Sequence, residues 1–176
     1  MCAMKPAAFL ALILVSAVSL FAQDFAPLPP PPDVVGVPFY LDMSVSELKK
    51  LSPEPYKEHA GGSGLNKTFT VEMQGKTSSF RIPAHNKIAF VYDATTMPRL
   101  YKFTVKGSKR EFPYEKRAYA FFGNSSHDSP IDGIAVSVSR YKETAYQFSS
   151  DQPLDPGEYA IIFGAKIYTF GVDEKK

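Results

Sequence analysis

The chain has 176 residues, a formal net charge of +2 and one cysteine. Because this charge is close to neutral, it gives no electrostatic footprint for nucleic acid, and we expect no nucleic-acid partner. The abundance of phenylalanine and tyrosine, together with frequent proline and glycine, favours strands and turns over helices.

Residues 1–22 have the pattern of an export signal. Lys5 supplies a short positive region, and every residue from 7 to 22 is apolar except two serines. A signal needs about 7 to 15 apolar residues followed by small ones, whereas a membrane span needs roughly 20. We therefore predict cleavage after Ala22, which leaves no membrane span, and a periplasmic or extracellular location. An uncleaved anchor is the alternative, and a start at Met1 or at Met4 stays open.

The only cysteine, Cys2, lies within the segment that we expect to be removed. The exported chain would then contain no disulfide, although small secreted domains often depend on them. Such a chain must rely on its apolar core, which fits a bacterial exported protein better than an animal one.

Residues 23–34 form a proline-rich linker. Five of the eight residues from 26 to 33 are proline, and proline cannot donate to a regular hydrogen-bond ladder. We predict a stiff polyproline II tether that precedes one domain at 35–173 and a charged tail at 174–176.

The segment at 45–51 has two interpretations. Ser44 and Glu47 match the S-x-x-E capping box that begins a helix. A strand that ends at Leu51 and pairs with residues 35–41 is equally consistent with the sequence. The choice stays open.

Apolar and polar residues alternate along several later segments. In 69–73, 101–106 and 134–139, every second residue is apolar, as in a strand with one buried face. The segments at 87–92 and 118–122 are more continuously apolar, which predicts central strands.

Turn-rich sequences separate these runs, at 73–76, 93–98 and 123–133. Many short strands at such spacing predict an all-β fold, namely a single antiparallel β-sandwich of the immunoglobulin-like or open-barrel type.

Residues 151–173 predict a closing hairpin. Pro156 and Gly157 suit a tight turn, and Gly164-Ala165 suits a two-residue loop between two strands. This register would set Ile162 opposite Ile167 and Tyr159 opposite Phe170. A phosphate-binding loop would need a following helix and repeated glycines, which this segment lacks.

The motifs "REF" (110–112), "PGEY" (156–159) and "KIYTFGV" (166–172) resemble those of an uncharacterised family of secreted, soil-bacterial (acidobacterial-type) all-β proteins. The resemblance extends over residues 35–173 and is most specific in the last third. Members carry a longer loop where this chain has Gly164-Ala165. The resemblance implies export and an all-β fold, and it implies no activity.

Three basic residues, Lys106, Lys109 and Arg110, fall at one predicted hairpin end. We take them as a tentative partner-binding tip, because a small basic surface could meet an anionic polymer. A solvated hairpin end is the simpler alternative, since charged runs at the surface are usually only solvated.

Catalytic and metal-binding patterns are weak. Ser126, His127 and Asp128 are adjacent, whereas catalytic triads are assembled in space from separate segments. The histidines at 59, 85 and 127 have no partner at metal-ligand spacing, so we expect no metal or cofactor.

We therefore expect an exported, non-catalytic module that binds a protein or polysaccharide partner in the cell envelope or outside the cell. The alternative is a secreted hydrolase whose loops bring together His127, Asp128 and Glu158. A structural subunit that polymerises by strand exchange is a third hypothesis.

Overall fold

The computed structural model describes residues 27–84, 88–94, 96–119, 126–142 and 144–174, except for the side chains of 119 and 126–128. These ranges contain strands and no helix. The strands are β1 (Phe39–Asp42), β2 (Glu47–Lys50), β3 (Lys57–Gly61), β4 (Asn66–Gln74), β5 (Arg81–Ile82), β6 (Ala89–Tyr92), β7 (Arg99–Lys102), β8 (Thr104–Lys106), β9 (Lys109–Tyr119), β10 (Ser126–Pro130), β11 (Val136–Arg140), β12 (Tyr146–Ser150), β13 (Gly157–Phe163) and β14 (Lys166–Val172).

The strands form three sheets. The front sheet has the order β11-β12-β6-β1-β2, and the middle sheet has the order β5-β14-β13-β7. The back sheet has the order β10-β9-β4-β3, and β8 also pairs with β9. All pairings are antiparallel except that of β5 with β14, which is parallel.

The middle sheet is buried on both faces. Tyr159, Ile161 and Phe163 of β13 pack into the core shared with the front sheet. Ala160 and Ile162, which alternate with them, pack into a second core shared with the back sheet. This double burial explains why β13 and β14 are continuously apolar in sequence instead of alternating.

The predicted all-β fold is confirmed, since antiparallel sheets pack face to face and none closes into a barrel in the described chain. In the alternating segment at 69–73, Val71 and Met73 are buried, and in the segment at 134–139 the apolar Ile134, Val136 and Val138 pack against the core shared with the front sheet. Within the segment at 87–92, residues 89–92 are confirmed as central, because β6 lies between β12 and β1.

The prediction of one strand at 101–106 is wrong. Tyr101 belongs to β7 of the middle sheet, whereas Val105 belongs to β8 of the back sheet and is exposed. Between the two strands, the Phe103 amide donates a hydrogen bond of 2.9 Å to the Glu158 carbonyl. The chain therefore changes sheets within this apolar pattern.

The predicted loop at 123–133 is wrong for residues 126–130, which form β10 and pair with β9. The predicted central strand at 118–122 falls mostly outside the described residues. Of this segment, Ala118 ends up exposed near the end of β9.

The open segment at 45–51 contains a strand. β2 pairs with β1, with Glu47 opposite Asp42. Ser44 does not begin a helix, because its amide and hydroxyl both donate to Asp42 Oδ1, at 3.1 and 2.5 Å. Lys49 Nζ donates to Asp42 Oδ2 at 2.6 Å, so Asp42 organises this hairpin.

The predicted tether already contacts the domain at its C-terminal part. The Tyr141 hydroxyl donates to the Pro29 carbonyl at 2.8 Å, and Lys142 Nζ donates to the Leu28 carbonyl at 3.1 Å. Pro32 is buried. From Leu28 onward, the linker therefore lies against the domain instead of holding it at a distance.

The closing hairpin is confirmed in detail. β13 and β14 pair with Ile162 opposite Ile167 and Tyr159 opposite Phe170. Gly164 has a φ of 61°, the left-handed value that a glycine-first two-residue loop requires.

The β1–β2 hairpin should lose stability in acid. Hydrogen bonds from Lys49 and Ser44 lower the pKa of Asp42 to about 2, whereas the pKa of an aspartate in an unfolded chain is about 3.9. The contribution of Asp42 is therefore present above pH ~4 and is lost as the pH falls towards 2. We expect Asp42→Asn to lower the free energy of unfolding by about 1 kcal/mol at pH 7 and by less near pH 2. The effect at pH 7 is small because solvent screens the exposed Lys49 partner.

Urea unfolding at both pH values checks this expectation. The exposed Asp33→Asn variant is the control and should match the wild type at each pH. A D42N deficit that is equally large at pH 7 and pH 2 would contradict the assignment.

Candidate functional site

The predicted basic tip is the end of the β8–β9 hairpin, and only two of its three residues are exposed. Lys106 forms an ion pair with Glu111, and Lys109 Nζ lies 2.8 Å from Glu72 Oε1. Arg110 is 1% exposed. The prediction that Arg110 belongs to the exposed tip is wrong, because successive residues of a strand face opposite sides and Arg110 takes the inward side.

Arg110 lies instead at the centre of a buried polar network, which we refer to as the Arg110 cluster. Its Nη2 donates to Glu54 Oε2 at 2.7 Å, and its Nη1 contacts the Ser78 hydroxyl and lies 3.5 Å from Glu158 Oε2. The Ser78 amide and hydroxyl both donate to Glu158 Oε2 at 2.6 Å. The Thr169 hydroxyl donates to Glu54. Two carboxylates thus surround one buried guanidinium.

One atom of Arg110 has no hydrogen bond. Its buried Nε has no partner among the described residues. The guanidinium carbon lies 5.1 Å from the centroid of the Phe103 ring, whose face attracts a cation. The aromatic contact offsets part of the cost of the unpaired nitrogen.

Arg81 closes the cluster towards solvent. Its Nη1 donates to Glu158 Oε1, and its Nε donates to Asp173 Oδ1 at 2.9 Å. The guanidinium lies directly over Gly171, where a Cβ atom would overlap it and would also approach Glu158. A glycine is therefore needed at 171 for the Arg81–Glu158 pair to form.

The three motifs behind the family resemblance meet at this cluster. Arg110 comes from "REF", Glu158 from "PGEY", and Thr169 and Gly171 from "KIYTFGV". Their side chains bond to one another or make room for those bonds. The motifs thus have a structural explanation in this chain, which needs no ligand.

Of the three residues of the hydrolase hypothesis, only the side chain of Glu158 is described. Glu158 is 7% exposed, and both of its carboxylate oxygens accept hydrogen bonds within the cluster. In β10, His127 lies opposite Ala118 and Asp128 lies opposite Arg117, and their side chains fall outside the described part. Across the described side chains, no group of three histidine, cysteine or acidic residues could hold a metal ion.

A cleft of about 270 Å³ opens between the back sheet and the end of the β13–β14 hairpin. We refer to it as the inter-sheet cleft. Its apolar lining comes from Val71, Ile162 and Ile167, and the loop residues Gly164 and Ala165 form part of its rim.

Four polar side chains complete the inter-sheet cleft, namely Tyr56, Glu58, Arg99 and Tyr114. Burial raises the pKa of Tyr114, and the charge of Glu58 and its hydrogen bond to Tyr114 add to the effect. Neither Glu58 nor Arg99 forms an ion pair with another described residue. Sequence reasoning missed this site because its residues come from five separate segments.

A larger pocket of about 420 Å³ lies on the back sheet. Its lining is polar or charged apart from Ala118, and includes Lys67, Lys116 and Arg117. Arg117 already contacts Glu115 and stacks 4.5 Å from the centroid of the Phe69 ring. This pocket lacks the large apolar side chains that usually line a ligand site.

Comparison of the chain with protein-family models, with curated proteins and with solved structures found no match. Within the described ranges, no helix has the length and apolar character needed to cross a membrane. The resemblance to secreted soil-bacterial proteins stays a prediction.

We expect the Arg110 cluster to contribute more to the free energy of unfolding than the exposed end of the β8–β9 hairpin does. Arg110→Met leaves two carboxylates without their buried cation, and we expect the free energy of unfolding to fall by about 3–5 kcal/mol. Lys106→Met changes an exposed residue of the same hairpin and should cost no more than about 0.5 kcal/mol. Chemical denaturation measures both values, and equal losses would contradict a structural role for Arg110.

Proposed function

We propose that the protein is an exported, non-catalytic module that binds a protein or polysaccharide partner in the cell envelope or outside the cell. The inter-sheet cleft is the binding site. One observation carries this proposal. The cleft combines an apolar floor with two tyrosines, a glutamate and an arginine, and these two charged residues form no ion pair with the described residues.

This combination suits recognition. Ligand sites are mostly apolar, with a few polar groups that fix orientation. A tyrosine offers an apolar body and a hydrogen-bonding tip, and an arginine can bind a carboxylate through two parallel hydrogen bonds. Arg99, Tyr56 and Tyr114 supply these groups around Val71 and Ile162.

The size of the cleft favours a segment of a larger partner. Its volume of about 270 Å³ lies below the roughly 300–1,000 Å³ of pockets that enclose small-molecule ligands. The cleft therefore accommodates one or two side chains, or a sugar ring, that project from a polymer. The N-terminal pattern at 1–22 supports export to a place where such polymers occur.

The hairpin end with Lys106 and Lys109 is a second contact surface for an anionic partner. Both lysines are exposed, with 66% and 46% of the side chain accessible. Their ion pairs with Glu111 and Glu72 offset much of their charge, so we propose the cleft, and not this hairpin end, as the main binding site.

Capture from the native host's envelope and culture fractions tests the proposal. We expect the immobilised wild-type protein to retain one stoichiometric partner, and Arg99→Glu to lower retention roughly tenfold or more, as for a central interface residue. Lys102→Glu is the matched control, because it reverses an exposed charge on the same strand, β7, and it should retain the partner.

Three results would overturn the proposal. Equal retention by R99E and K102E would move the site away from the cleft, and loss of retention only in a Lys106→Glu, Lys109→Glu double variant would move it to the hairpin end. A folded wild-type protein that retains no partner would contradict the binding role itself.

A further inference from the structure

β3 is an exposed edge strand. All five of its residues, Lys57–Gly61, are exposed, and one edge pairs with β4. No strand in the described part of the chain pairs with the other edge. An unpaired edge presents free N–H and C=O groups, to which an extended peptide can add as a further strand.

A pocket lies on each side of this edge. Tyr56 and Glu58 line the inter-sheet cleft, while Tyr56, Lys57 and Glu72 line a second pocket of about 200 Å³. Residues opposite each other in register share a face, so the Glu58–Val71 pair faces the cleft and the Lys57–Glu72 pair faces the second pocket. Alternate side chains of an added strand would therefore enter the two pockets in turn.

The charge beside the second pocket selects the residues of such a strand. Both carboxylates there are already engaged, Glu72 by Lys109 at 2.8 Å and Glu54 by Arg110 at 2.7 Å. Lys57 forms no ion pair with another described residue. Lys57 acts on Glu72 only as a weaker, longer-range attraction, so its ammonium can still bind an acidic side chain of an added strand.

The opposite face selects apolar residues. In the inter-sheet cleft, a side chain of the added strand would meet Val71 and Ile162. Glu58 and Arg99 also line this cleft with opposite charges, so their charges offset each other and the apolar lining decides which side chain of the added strand enters.

We propose that β3 accepts an extended peptide from a partner protein as an added strand, with acidic residues on the Lys57 side alternating with apolar residues on the cleft side. This inference rests on the proposed function and specifies the class of partner and the mode of binding. It makes the partner a protein and makes backbone hydrogen bonds part of the recognition.

A second copy of this chain is less suited to pair with the β3 edge than a partner of different sequence is. Antiparallel self-pairing of β3 centred on Lys57 or Glu58 would set lysine against lysine or glutamate against glutamate. Like charges directly opposite each other destabilise a strand pair. The edge therefore suits a different sequence.

The probe is a fluorescein-labelled peptide of about seven residues that alternates glutamate with valine, a length comparable with an ordinary strand. Fluorescence anisotropy measures its binding to the purified protein. We expect saturable binding that Lys57→Glu weakens roughly fivefold, as for reversal of a cross-strand charge pair. A lysine–valine peptide should show the opposite preference. Lys50→Glu, an exposed lysine on the edge strand β2, is the matched control and should bind like the wild type.

Backbone pairing is tested with two further peptides, N-methylated on every glutamate or on every valine. Only alternate amides of an added strand point towards the sheet, so one of the two peptides should lose binding and the other should keep it. Binding of both, or equal effects of K57E and K50E, would overturn strand addition.

The two proposals can fail separately. If the protein captures its partner through the cleft but does not bind the glutamate–valine peptide, strand addition is wrong and the proposed function stands. If the folded protein neither captures a partner nor binds the peptide, both are wrong.

Discussion

A buried arginine needs carboxylates around it, and this requirement fixes how the middle and back sheets meet. Arg110 extends from β9 of the back sheet, Glu158 extends from β13 of the middle sheet, and Glu54 precedes β3. Ser78, between β4 and β5, joins the same network. An isolated ion in this interior would cost several kcal/mol, so arrangements that separate these segments are disfavoured. One guanidinium thereby ties four distant parts of the chain to a single packing.

The inter-sheet cleft follows from this packing. The middle and back sheets share an apolar core that includes Val71 and Ile167, and the cleft occurs where that core reaches the short loop of the β13–β14 hairpin. The same residues thus contribute to both the core and the cleft floor. A rigid cluster in the core and an adjacent open cleft are a suitable arrangement for binding without large rearrangement.

Local patterns predicted local structure well. The closing hairpin, including the pairing of Ile162 with Ile167, was predictable because the loop chemistry and the strand registers are set by neighbouring residues. The division of residues 101–106 between two sheets was not predictable. Alternation indicates which face of a strand is buried, but it does not indicate which sheet the strand joins. Arg110 was misplaced for a similar reason, since its partner Glu158 lies 48 residues away. The cleft, built from separate segments, has no local signature at all.

The position of β14 has a consequence for how the protein folds. β14 follows every other strand of the described chain, yet it lies in the middle sheet, beside β13 and β5. Its residues Phe170 and Ile167 belong to two different cores. Neither core is complete without Lys166–Val172, so both depend on the strand that is synthesised last among those described. A chain whose cores are completed late stays unfolded for longer, which is compatible with the export that we propose.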